Sequence, residues 1–252
     1  MNLRSEDKSS SPGPIYAVLT GDLVGSTELT PEERRRLPSL LRGAVDRARI
    51  GFPEAVHGEI DIFRGDSWQL VLSDPVQALR IGLFLRAVIR SAPGEHPLDS
   101  RLAVGYGPVD YLPEQDISTG NGPAFYLSGS GLESAWKNCR MVLNFPDAVE
   151  SRLTRALNII VRLIDLQVNH WTPKQAEAVS GALIELTQKQ IGRGWVREQV
   201  SQQAISQHLE GAGWVKIKSS LEFTEEILPE LIQEMHGIQV KHPLPEQLPP
   251  AG

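Results

Sequence analysis

Two aspartates are the residues of this chain best placed to do chemistry. Asp22 closes the apolar run IYAVLTGDL and is followed by Val24, Gly25, Ser26 and Thr27, and Asp66 sits in Arg64-Gly65-Asp66 between AVHGEIDIF and SWQLVLS. A carboxylate that ends a buried strand beside a glycine turn is held at the rim of a sheet. If the strands around Asp66 neighbour the first strand, both acids meet at one rim. Two hard oxygen donors there favour magnesium or manganese, which complete their shells from water and phosphate oxygens. The turn before the helix that begins near Pro31 offers backbone N–H groups to triphosphate oxygens. Asp22 and Asp66 are therefore the candidate metal ligands, and Leu23, Gly25, Ser26, Thr27 and Gly65 the candidate nucleotide contacts. The same residues also fit a turn in which Asp22 accepts backbone hydrogen bonds, and a hairpin tip with an exposed aspartate.

A second constellation is basic. Residues 151–220 hold nine Lys and Arg against five Asp and Glu, a balance of +4, whereas the whole chain carries −6. Within TQKQIGRGWVREQVSQQAISQHLEGAGWVKI, the residues Ile191, Val200, Ala204, Ile205 and Leu209 have the spacing of a buried seam. Ser201, Gln202, Gln203, Ser206 and Gln207 are then left on the outer face of a helix. Glutamine makes paired hydrogen bonds to adenine, and Lys189, Arg193, Arg197, Lys216 and Lys218 are spaced to hold phosphates on either side. The pattern predicts a helix-turn-helix that binds double-stranded DNA. It also fits a helical dimerisation or protein-docking bundle whose Gln and Ser are a solvated face. Gly192 and Gly194 fall where the supporting helix would continue, at about 1 kcal/mol each if helical.

The elements that must position these groups divide the chain in two. From 15 to 146 the order reads strand, helix, hairpin, helix, strand, helix, strand, an α+β pattern with a mixed sheet. From 147 to 236 the periodicity is helical, starting with a long helix through residue 170 that suits a homodimer. WVKIKSSLEF reads as a small wing of paired strands, and TEEILPELIQEMHG as a closing helix interrupted near Pro229. Residues 1–14 and 237–252 are rich in Pro, Ser and charge and read as disordered tails.

Composition limits the function classes. The chain is 40% apolar and 22% charged, the balance of a globular protein. One cysteine, Cys139, excludes an internal disulfide and a multi-thiolate zinc site built from one chain. No apolar run has bilayer length and the first residues lack a signal-peptide core, so a cytoplasmic protein without a membrane partner is expected.

The ordered set Gly21-Asp22-Leu-Val-Gly-Ser, Arg64-Gly65-Asp66-Ser-Trp-Gln, Arg101-Leu-Ala-Val-Gly-Tyr-Gly-Pro-Val and Gly120-Asn-Gly-Pro-Ala-Phe-Tyr resembles the SatD-like family. More distantly, it is similar to the catalytic domain of class III nucleotidyl cyclases. The resemblance covers about residues 15–146 and implies a ferredoxin-like palm in which Asp22 and Asp66 match the cyclases' metal-binding aspartates. Cyclases follow their Gly-rich loop with an asparagine and an arginine. Matching Gly122 to that pattern puts Tyr126 and Ser130 there, neither a guanidinium, with Lys137 and Arg140 further along. Val-Ser-Gln-Gln-Ala-Ile-Ser-Gln-His-Leu before Ala-Gly-Trp resembles the recognition helix of sigma-factor and MarR-type helix-turn-helix domains. Together these imply a transcriptional regulator with a nucleotide- or metal-sensing palm, or else a metal-dependent nucleotidyl cyclase with a helical regulatory half.

Overall fold

The computed structural model describes residues 13–63, 65–94, 96–135, 139–149, 152–195 and 199–237. The two expected tails fall almost wholly outside these residues, as do Arg64, Lys137 and Arg197.

Five strands and eight α-helices stand among the described residues. The strands are β1 (Ile15–Val24), β2 (Val56–Phe63), β3 (Ser67–Leu72), β4 (Asp99–Pro108) and β5 (Met141–Asn144). The first helices are α1 (Pro31–Gly51), α2 (Ala78–Ser91) and α3 (Pro123–Ser134). They are followed by α4 (Arg152–Asn169), α5 (Pro173–Leu183), α6 (Gln188–Arg193), α7 (Gln202–Gly211) and α8 (Trp214–His236). The sheet runs β2-β3-β1-β4-β5, antiparallel except for the parallel β4–β5 pair, so the fold is α+β with a mixed sheet.

Each face of the sheet has its own cover. Leu19, Leu23, Trp68, Leu102 and Tyr106 belong to the main core with the buried residues of α1 and α2, whereas Val18 and Val71 pack with Ala124 and Phe125 of α3. The α3 backbone lies so close to β4 that a Cβ at Gly105 would stand 2.2 Å from the Ala124 carbonyl oxygen. The glycines of RLAVGYGPV are thus explained by the chain's own helix. Thr20, Gln69 and Ser128 tie this face with buried hydrogen bonds of 2.8 and 2.9 Å.

The helical half shares the core of the sheet half. One cluster of buried apolar side chains runs from Ile15 through α2 to Leu228 and Met235. Helix α2 lies between the sheet and α5, which leaves 11 of its 14 residues buried. Its arginines are the fastening. Arg86, fully buried, bonds both oxygens of Asp99 on β4 at 2.8 and 2.9 Å, as well as Asp165 and Asn169 of α4. Arg80 forms a bidentate pair with Glu225 of α8 at 2.6 and 2.8 Å.

The expected wing is absent from the described residues, because WVKIKSSLEF is the first half of α8. Ile217, Leu221, Thr224, Leu228, Leu231 and Met235 return at helical spacing and are buried. Pro229 lies inside the helix without ending it. A helix-interior proline costs about 3 kcal/mol, and burying three or four such side chains outweighs that.

Candidate functional site

The metal candidates lie at one end of the β1–β3 pair. Asp22 is opposite Ser67 in the register, and the Leu23 N–H donates to the Asp66 carbonyl at 3.1 Å, so the backbones of the two aspartates are one step apart across the strands. Local packing explains the motif around Asp22. Trp68, fully buried, fills the space where a Cβ on Gly21 would stand, 2.2 Å from the indole ring. The indole N–H donates to the Ser100 hydroxyl at 3.2 Å, and that hydroxyl donates to the Asp22 carbonyl at 3.1 Å.

The side chains have separate partners. Asp22 forms an ion pair with Arg101, its cross-strand neighbour on β4. Asp66 accepts the Ser26 hydroxyl at 2.8 Å. Two carboxylates on neighbouring backbones suit a hard divalent cation by their chemistry, but Arg101 already brings positive charge to one of them. Among the described residues no group of three or more His, Cys, Asp or Glu side chains gathers as a metal site.

The nucleotide candidates surround this end. Leu23 is buried and its N–H engaged, Gly25 is left-handed at φ 86°, and Ser26 is buried. Thr27 and Gly65 are exposed, Gly65 at φ 88° in the hairpin turn. A cavity of about 1050 Å³ opens nearby between α1 and the 92–98 segment. It is lined by Thr30, Glu33, Arg36, Leu37, His96 and Leu98, and none of the nucleotide candidates lines it.

The positions matched to the cyclase asparagine and arginine are both on α3 and both exposed. Tyr126 points into solvent, and the Ser130 hydroxyl donates to the Leu127 carbonyl at 3.3 Å. Arg140 is committed to Asp99 at 2.5 Å. Cys139 is half-buried and donates its thiol to the Met141 carbonyl at 3.0 Å; burial raises its pKa, so it is a poor nucleophile.

In the helical half, α6 packs against α7, and the chain entering α7 crosses close to α6 at Gly192. Thr187 and Gln190 form a capping box on α6, and the Ser201 hydroxyl caps α7 by accepting the Ala204 N–H at 3.2 Å. Gly192 permits the crossing: its carbonyl accepts the Val200 N–H at 3.0 Å, and a Cβ there would stand 2.2 Å from the Val200 carbonyl oxygen. Gly194 is where α6 stops. The two glycines shape the turn and its approach.

Ile191, Ile205 and Leu209 are buried and Val200 and Ala204 half-buried. Ser201, Gln202, Gln203, Ser206 and Gln207 are all exposed, as are Lys189 on α6 and Arg193 at its end. Lys216 and Lys218 stand on the exposed side of α8, with Lys218 3.6 Å from Glu222. His208 stacks on Trp195 with ring centres 5.7 Å apart, and burial, aided by Lys174, lowers its pKa.

Sequence reasoning did not find Arg101, the Ser26–Asp66 bond or the Arg86 cluster. Each depends on which strand or helix lies beside which, and only the Asp22–Arg101 pairing had a trace, an arginine opening the run RLAVGYGPV. Among the described residues no helix is long and apolar enough to cross a membrane. Neither protein-family models nor curated protein sequences give a match to this chain.

Proposed function

We propose that this protein is a cytoplasmic DNA-binding transcriptional regulator that acts as a homodimer. Helix α7 reads double-stranded DNA, and the sheet half is a ferredoxin-like palm of the SatD-like kind that senses a nucleotide or a divalent cation. The observation that carries the reading is the division of α7 into two faces. Ile205 and Leu209 are sunk in the core, while Gln202, Gln203, Ser206 and Gln207 are exposed beyond a serine cap, and Lys189 and Arg193 are exposed on α6. The first turns of a recognition helix meet base edges, and glutamine has the donor and acceptor that adenine presents in the major groove. Arg197, Lys216 and Lys218 extend the phosphate-binding set.

For the palm, the order β2-β3-β1-β4 with antiparallel pairing supports the ferredoxin-like reading. Asp22 and Asp66 would hold magnesium or manganese, with Leu23, Gly25, Ser26, Thr27 and Gly65 around the phosphates. The ion would supply positive charge to phosphate oxygens. Signalling requires that this ligand bind the DNA-competent and incompetent forms unequally. The second reading, a metal-dependent nucleotidyl cyclase, is favoured by the neighbouring aspartates. The Arg101 ion pair and the uncharged Tyr126 and Ser130 favour a sensor instead.

Fluorescence polarisation on genomic DNA fragments over a salt series tests the proposal. Gln203→Ala should weaken binding to the preferred sequence by the equivalent of about 1–3 kcal/mol, and Lys189→Ala should weaken all sequences alike and lower the salt slope by about 1. Absence of binding even at low salt refutes the regulator. Turnover of a nucleoside triphosphate with manganese, lost in Asp66→Asn, would establish the enzyme in its place.

A further inference from the structure

Helix α4 carries two apolar seams, and the described fold covers one of them. Thr154, Leu157, Val161, Ile164, Asp165 and Val168 are buried against the rest of the chain. In heptads that place Ala156 at a, these are the b, c and f positions. Beyond Arg152, the d position of the first turn, the a and d positions are Ala156, Ile159, Leu163 and Leu166, and all are exposed. Ile159, Leu163 and Leu166 are 58%, 63% and 59% exposed. Isolated exposed leucines are ordinary, but a row at the 3-4-3 spacing of a coiled-coil seam is not.

We infer that this row is the seam of a two-fold dimer, on which α4 of a second copy lies parallel to the first. The inference deepens the homodimeric regulator by naming its interface and direction. Flanking charge selects the occupant. Arg155 and Arg162 hold the g positions and Leu153, Ile160 and Gln167 the e positions, so the flanking cations lie along one side, with Arg152 at the head of the seam. Neither g-position arginine is ion-paired among the described residues.

An antiparallel partner sets g against g and brings Arg155 and Arg162 onto arginines of the other copy. A parallel partner sets g against e of the next heptad. Arg155 then lays its apolar stem over Ile160, and Arg162 meets the Gln167 amide oxygen. A foreign helix with acidic flanks would satisfy the g side but not the e side, where Ile160, half-buried on the chain's own core, and Gln167 carry no charge. The 18-residue helix offers a strip about 27 Å long and about 10 Å wide. That is small for a lasting interface, so the dimer is expected to be concentration-dependent.

Cysteine cross-linking of the full-length protein without DNA tests the arrangement. In a parallel seam a faces a and d faces d, whereas in an antiparallel seam a faces d. Leu163→Cys alone, oxidised with diamide, should therefore give several-fold more covalent dimer than wild type, whose only thiol is Cys139, or than Val215→Cys on the exposed side of α8. Ile159→Cys alone should do the same. Both substitutions are at exposed positions, and circular dichroism verifies that the fold is retained. Cross-linking that appears only when the two variants are mixed, or that never exceeds the controls, overturns the proposal. So does sedimentation of the wild type as a monomer at its highest soluble concentration, where Leu163→Arg is expected to halve the wild-type mass. DNA plays no part in these measurements, so loss of the DNA reading would leave this result standing.

Discussion

Asp99 is the acid on which the joint between the two halves turns, and Asp99→Asn is the substitution that tests it. Its carboxylate accepts hydrogen bonds from Arg86 at 2.8 and 2.9 Å, Arg90 at 2.6 Å, Arg140 at 2.5 Å and the Ser100 N–H at 2.8 Å. Burial alone would raise its pKa, but the Arg86 guanidinium foremost, with Arg90 and Arg140, outweighs burial and holds it at about 2, against an ordinary 3.8. The difference is worth about 2 kcal/mol. Because the folded pKa lies below the unfolded one, this stability is fully present above about pH 4. It fades as pH falls from there through about 2.

Asparagine keeps the shape and removes the charge, leaving three guanidiniums without their shared carboxylate, of which, among the described residues, only Arg86 also bonds an acid, Asp165. At neutral pH the loss should be about 3–5 kcal/mol, the usual cost of breaking a buried ion pair from one side. Urea unfolding of wild type and variant between about pH 7 and pH 2 isolates the term, since the other acids titrate in both proteins. The wild-type advantage should shrink by about 2 kcal/mol across the acid range. An advantage independent of pH would refute the assignment of Asp99 as the charged hub.

Gly192→Ala should lower stability by about 1–3 kcal/mol, because its Cβ would meet the Val200 carbonyl, whereas Gly194→Ala, whose nearest neighbour would be 3.5 Å away, should be close to neutral. Thermal melts of the pair decide it, and equal effects would remove the close-crossing explanation. Asn158→Ala should cost about 1–3 kcal/mol and increase light scattering on heating. The Asn158 amide accepts the Leu143 N–H at 3.0 Å and donates to the Leu143 carbonyl at 2.8 Å, closing the outer edge of β5. Unchanged melting and scattering would mean that the edge needs no such cover.

What was legible in the sequence was local. The strand-helix order of the first half follows from apolar runs broken at Gly65 and Pro31, and the hairpin forms where RGD separates two β-branched stretches. The alternation in Trp-Val-Lys-Ile-Lys misled, because it has the period of a strand for five residues. The longer series Ile217, Leu221, Thr224 and Leu228 has the period of a helix, and its burial against α4 and the sheet half decides the outcome. Val215, which a wing would bury, is 75% exposed. The partners of the α2 arginines were likewise beyond local reading, since Arg80 and Arg86 turn to Glu225 and Asp165 on distant helices.

The candidate site follows the same division between near and far. Asp22 and Asp66 could be placed together from the sequence because each ends or begins a strand, and a hairpin beside β1 brings their backbones one step apart. Arg101 could not, since its position opposite Asp22 depends on β4 crossing to the other side of β1. That crossing changes the chemistry to be expected. A divalent ion, if one binds as proposed, would compete with the guanidinium already paired to Asp22, and freeing Asp22 would mean moving Arg101 on the strand that also carries Asp99. Were an ion bound there, it would be linked through β4 to the anchoring of α4 by Asp99 and Arg86, a physical route from the proposed ligand site to the helical half.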